Sequence, residues 1–246
     1  MKRKSFSAIA FAIFAILATT LALPISNASA STSVPSNFTN SRSSITGTID
    51  LSSHAINSGT VETTNGHTYY NGVVSGSVEA SDLFEGAYNK YVKDFQGKSG
   101  YRNKHFENIV MFGKNKTFPT ASYTVTFPSY FSVNEAAISV AENTSTISNI
   151  SHEYNPTTNS VTFTFNLGNW NDYKGFFELY KSERGASGHP ISISIPYTVD
   201  ITDISSSQIG QITAKGSCEL YKYGRLFFSS KIVNISIVTN PITVTR

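Results

Sequence analysis

The chain of 246 residues carries a formal charge of +3 at pH 7, with 14% charged and 13% aromatic residues and one cysteine. Lys2, Arg3 and Lys4 hold that surplus, so the remainder is balanced and offers no global field to nucleic acid or anionic lipid. Cys218 alone rules out an intrachain disulfide, and the length suits one large β domain or two small ones.

Met1 to Lys4 is a basic n-region, Ser7 to Ile25 is almost wholly apolar, and Ala28-Ser29-Ala30 supplies small residues for cleavage. Residues 1–30 therefore read as a signal peptide cut near Ala30, with Pro24 favouring removal over a permanent span. The expected location is secreted or cell surface, without stable membrane insertion once the signal is gone. No Leu-x-x-Cys lipidation pattern or LPxTG-type sorting motif is written in the sequence, so noncovalent attachment or release is expected.

Residues 31–44 are rich in Ser, Thr and Asn without apolar periodicity, which predicts a flexible leader. From Ile45 the texture turns to strand. Ile45 to Leu51, Thr60 to Thr64 and Thr68 to Ala80 are β-branched and aromatic, broken by Asn65-Gly66 and Asn71-Gly72, dipeptides that accept positive φ in hairpin turns. Over 82–95, Leu83, Phe84, Ala87, Tyr88, Tyr91, Val92 and Phe95 recur at helical spacing, with Ser81 or Asp82 as N-cap and Gly97 as terminator.

Strands are expected at Ser122 to Phe127, Ala136 to Val140, Thr146 to Tyr154, Ser160 to Leu167, Pro190 to Ile201, Ile209 to Tyr221 and Lys231 to Val238. The clearest alternation puts Ile191, Ile193, Ile195, Tyr197, Val199 and Ile201 on one face and Ser192, Ser194, Pro196, Thr198 and Asp200 on the other. One buried and one wet face demand an antiparallel sheet packed on a second layer, and Pro196 points to an edge or a bulge. A second aromatic helix is expected over Asn171 to Glu183 from Tyr173, Phe176, Phe177 and Tyr180. Each helix follows an Asp and precedes a Gly-x-Ser-Gly loop, as a duplicated unit would, which puts a boundary near Pro119. The expected organisation is a β-rich N-terminal module over 45–118 and a β-sandwich module over 119–246.

Chemistry is sparsely written. His54, His67, His105, His152 and His189 lack zinc spacing, and no Ca²⁺ loop pattern occurs, so no metal or cofactor is expected. Gly97-Lys98-Ser99 lacks the first glycine of a phosphate loop, and neither Gly-x-Ser-Gly loop is a strand-to-helix elbow. The run Lys90 to Lys104 is interrupted by Asp94 and reads as a solvated face. Cys218 lies in a strand-like run where a buried thiol is the default. Lys231 or Lys174 with Asn234 or Asn166 is raw material for an isopeptide bond, and Cys218 with Gln208 or Gln211 for a thioester, but no signature selects either.

Tyr123-Thr-Val-Thr-Phe-Pro128, Asn159-Ser-Val-Thr-Phe-Thr-Phe165, Ile191-Ser-Ile-Ser-Ile-Pro-Tyr197 and Ser230-Lys-Ile-Val-Asn234 make residues 122–240 resemble the Ig-like adhesive modules of Gram-positive bacterial cell-surface proteins. The resemblance implies an all-β fold, an antiparallel Ig-like β-sandwich with one or two short inserted helices. It also implies display outside the cell and binding of an extracellular protein or glycan ligand without catalysis. Tyrosine gives large contact area at small entropic cost, so Tyr69, Tyr70, Tyr101, Trp170, Tyr173 and Tyr223 are the candidate contacts. The alternatives are a secreted β-pore-forming toxin, motivated by the alternation of Ile191 to Ile201, and a secreted glycan hydrolase with convergent carboxylates.

Overall fold

The computed structural model describes residues 34–41, 44–100, 103–168, 172–224 and 229–246; the expected signal peptide, 1–30, lies outside them. Among the described residues the chain forms thirteen strands and two α-helices in the order β1 (Ser36–Ser41), β2 (Ser44–Asp50), β3 (Ala55–Thr64), β4 (His67–Glu79), α1 (Ala80–Asp94), β5 (Thr120–Thr126), β6 (Ser132–Val133), β7 (Ser139–Glu142), β8 (Ile147–Asn155), β9 (Ser160–Leu167), α2 (Tyr173–Glu183), β10 (Pro190–Asp200), β11 (Gln208–Tyr223), β12 (Ser229–Val238) and β13 (Ile242–Thr245). No helix among them is long and apolar enough to cross a membrane.

The strands make two sheets. The larger runs β1-β2-β12-β11-β5-β9-β8, with β13 also on β11; the smaller runs β3-β4-β10, with β6 and β7 both on the far side of β10. Every pair is antiparallel except β2 with β12. Strand alternation explains the layering. Val125, Phe163, Ile195, Tyr197, Ile212 and Val244 share one core between the sheets, the sandwich that the wet and dry faces of β10 demand.

A second core lies between the larger sheet and the two helices. Phe95, Tyr173, Phe177 and Tyr180 pack there against Ile45, Cys218, Leu220 and Val233. The aromatic stripes interlock: Phe84 meets Phe176 edge-on at 5.2 Å, Tyr91 stacks on Phe177 at 4.6 Å, and Phe95 lies 4.9 Å from Tyr173. Such pairs add to the burial that drives the helices onto the sheet. β11 serves both cores from one face, through Ile212 and Ala214 and then Cys218 and Leu220.

Several expectations are corrected. Within the expected leader, Ser36–Ser41 are a strand of the sheet, paired with β2. The boundary near 118/119 is crossed by β2 beside β12 and β4 beside β10, and Ser33–Arg246 form one compact unit. Asn65 and Gly66 do take positive φ at the β3–β4 turn, but Asn71 and Gly72 lie inside β4. Gly72 is needed there for space, since a Cβ would fall 2.3 Å from the Tyr197 ring. Helix α1 starts at Ala80, so Ser81 and Asp82 sit within its first turn rather than before it. In α2, Asp172 is the cap, accepting from Gly175 N at 2.8 Å. Residues Glu135–Ala137 are a 3-10 turn, and the strand follows at Ser139–Glu142. Pro196 is on a central strand, at the break between β7, which pairs with 191–194, and β6, which pairs with 197–198; its missing N–H falls where no ladder runs.

Candidate functional site

The candidate aromatics separate sharply. Tyr70 is 3% exposed and Tyr173 1% exposed, so both are core residues and not surface contacts. Tyr70 accepts from Asn57 Nδ2 at 2.9 Å, and Tyr197 donates to Asn57 Oδ1 at 2.6 Å, so one amide joins two buried phenols. Tyr173 donates to the Ile232 carbonyl at 3.2 Å. Tyr223 is a half-buried brace that accepts from Lys116 N at 3.1 Å, with Phe112 against its ring at 5.7 Å. Tyr101 and Trp170 lie outside the described residues. Tyr69 remains, half-exposed on the outer face of the smaller sheet.

Its surroundings follow from alternation and register. Because Tyr70 and Val74 point inward, His67, Tyr69 and Asn71 point outward on β4. Register sets Glu62 of β3 and Asp200 of β10 directly opposite Tyr69 on either side. Asn71 donates through Nδ2 to Glu62 Oε2 at 3.4 Å and accepts at Oδ1 from Thr198 Oγ1 at 3.0 Å, which fixes its amide. His67 Nδ1 is 3.1 Å from Asp200 Oδ2, and its ring stacks beside Tyr69 at 6.1 Å. Thr202 donates to Asp200 Oδ1 through its hydroxyl at 2.5 Å and its backbone N–H at 3.0 Å. Those hydrogen bonds, then His67, hold the Asp200 carboxyl below the usual carboxylate range.

The result is one aromatic ring bracketed by two carboxylates, with an amide and an imidazole in set orientations, on an open face whose other outward residues include Ser75, Ser77, Ser192 and Ser194. Such a surface offers a flat apolar platform and planar hydrogen-bonding groups. Of its members, the sequence had singled out only Tyr69 as a contact. The alternations of β4 and of Ile191 to Ile201 carried the signal for His67, Asn71, Thr198 and Asp200; what joins them is cross-strand register.

The other candidate chemistries fare differently. The Cys218 thiol is pushed up to about 12, first by burial and then by Glu219, so it carries no thiolate. Gln208 and Gln211 lie on the same strand as Cys218, roughly 20 Å or more along it at the strand rise, too far for a thioester. Lys231 is paired with Glu219 at 2.6 Å beside Asn234, which is registered opposite Glu219. That lysine is solvent-accessible and raised above its ordinary range by the Glu219 hydrogen bond, hence a charged ammonium rather than an amine nucleophile. The Ile191 to Ile201 segment, which motivated the pore reading, is a strand paired on both sides with its apolar face in the core.

No protein-family model and no curated protein matches the chain. Among solved structures the chain is similar to BcpA, the major pilin subunit of Bacillus cereus, at 9% identity and a TM-score of 0.28. The match covers 78% of this chain and 40% of the pilin subunit, so the chain spans less than half the length of that protein.

Proposed function

We propose that this is a secreted or surface-displayed, noncatalytic binding module of adhesin type that recognises an extracellular glycan on the outer face of its smaller sheet. The observation that carries the reading is the half-exposed Tyr69 ring set between Glu62 and Asp200. A sugar presents an apolar C–H face and flanking hydroxyls; the ring serves the first, and the carboxylates with the Asn71 amide serve the second. A protein ligand needs a larger desolvated apolar centre, which this Ser- and Thr-rich face does not supply. Against catalysis by the two carboxylates, general acid work requires a raised pKa, whereas Asp200 is held low.

The test is a glycan and matrix-protein array probed with the mature protein, alongside fractionation of producing cells into medium, wall and membrane. Tyr69→Ala and Asn71→Ala should each weaken glycan binding about tenfold or more, the order expected for a lost stacking or buried hydrogen-bonding contact, with an unchanged Tm. Binding of a matrix protein untouched by both substitutions, or recovery only in membrane with residues 1–30 intact, would overturn the reading.

A further inference from the structure

Where the two cores meet, beneath α1 and α2 and beside β4, the structure holds a partly open cavity of about 180 Å³. Its origin is legible residue by residue. Ala55, Gly76, Ala87, Ala121 and Ala214 all contribute to its wall. At Gly76 an added Cβ meets only the His54 carbonyl group, its oxygen at 3.1 Å. Five elements thus turn small residues toward the same point, and no neighbour reaches across. The inward-facing Val78, Ile193, Phe165 and Ile237 are in consequence only partly buried, since part of each faces the void.

The wall is apolar almost throughout, and the residues lining it come from both cores, from Phe176 and Phe177 on α2 to Ile237 and Ile242 of the larger sheet. Ser75 and Ser77 border the cavity, but their side chains turn to the outer face of β4, so the wall offers almost no polar surface. An empty void destabilises a fold in proportion to its volume, and an apolar cavity of about 150 Å³ already stays dry and admits benzene. An apolar cavity of this size, partly open and stretched between two cores, matches a narrow apolar chain whose polar end stays outside it.

We infer that this cavity is a binding site for the hydrocarbon chain of a fatty acid or lipid, with the chain between the sheets and helices and the polar end left outside the apolar wall. The site is separate from the Tyr69 face and goes beyond the glycan reading. A stripe of small residues alone would not specify it; the volume and the apolar wall do.

The experiment uses the mature protein with dodecanoate below its micellar concentration and, separately, with benzene, read by calorimetry, Tm and native mass spectrometry. Dodecanoate should bind at one per chain and raise Tm, and the filling variants Ala87→Leu and Ala121→Leu should each weaken it at least tenfold. Incubation with phosphatidylglycerol vesicles separates the sources: a retained mass equal to the phospholipid identifies a lipid chain, and a fatty acid mass identifies the free acid; either supports the site. No dodecanoate binding by the wild-type protein, binding of benzene alone, or equal binding by wild type and both filled variants would overturn it. Tyr69→Ala should leave dodecanoate binding intact, so failure here and failure of the glycan reading are distinguishable.

Discussion

Arg184, just past α2, grips Glu85 of α1 at two points, Nε to Oε2 at 2.9 Å and Nη2 to Oε1 at 2.5 Å. The Tyr180 hydroxyl donates to the same carboxylate, and the Arg184 guanidinium lies 4.8 Å from the centre of the Tyr88 ring. Two-point geometry makes this stronger than an ordinary surface pair, and it ties together the two helices that roof the second core.

The Glu85 carboxyl is accordingly drawn down to about 2, first by the Arg184 hydrogen bond and, against burial, also by Tyr180. A depressed folded-state pKa contributes stability above the unfolded carboxyl range, and that contribution is lost as pH falls from about 4.5 towards 2. Because Arg184 is 44% exposed, screening reduces the effect, and Glu85→Gln should cost about 1–2 kcal/mol at pH 7. Urea unfolding between pH 2 and 7 checks this: the variant's acid limb should be flatter, and its deficit should shrink in 1 M NaCl.

Cys218 should behave as an inert core atom. With its thiol pushed up to about 12 by burial, the folded protein should resist a thiol-reactive chromogen at pH 8 and react fully in denaturant. The intact mass should show no loss of ammonia. Rapid labelling of the folded chain, or that mass loss, would contradict the placement.

Gly72 tests the contact between β4 and β10 without touching the outer face. An added Cβ meets the Tyr197 ring at 2.3 Å, so Gly72→Ala must displace a fully buried tyrosine whose hydroxyl holds Asn57. A loss of about 1–3 kcal/mol is expected from overpacking. Tyr197→Phe in the same background should recover at most a part of it, because it removes the hydroxyl contact at 2.5 Å but leaves the ring carbon at 2.3 Å.

Glu183 closes α2 onto the segment before β8. It accepts from Thr144 Oγ1 at 2.5 Å, Ser145 N at 2.6 Å and Ser145 Oγ at 2.7 Å. Burial pushes its carboxyl up, but these bonds outweigh it and leave the group below its ordinary range. Glu183→Ala strands the Ser145 amide and should cost about 2–3 kcal/mol. Hydrogen exchange should accelerate at Ser145 and Thr146 before it does so in β9.

The strands and helices themselves were largely legible. Period-two alternation over Ile191 to Ile201 and aromatic spacing over 82–95 and 171–183 are local consequences of how a backbone presents side chains, so they survive without knowledge of neighbours. Short or polar strands were not: Ser36–Ser41 has the composition of a leader, and Ile242–Thr245 is four residues long. Their partners, not their own propensities, make them strands.

By itself the sequence determined a β-rich chain with two aromatic helices, a dry face and a wet face on β10, and a Tyr69 free to face outward. Tertiary structure alone decided that β2 lies beside β12 and β4 beside β10, that Tyr70 and Tyr173 are core while Tyr69 sits between Glu62 and Asp200, and that five small residues converge on one void. The reason is physical: alternation tells which side of a strand is wet, but register depends on matching the buried faces of segments far apart in the chain, and a cavity exists only where several such faces meet.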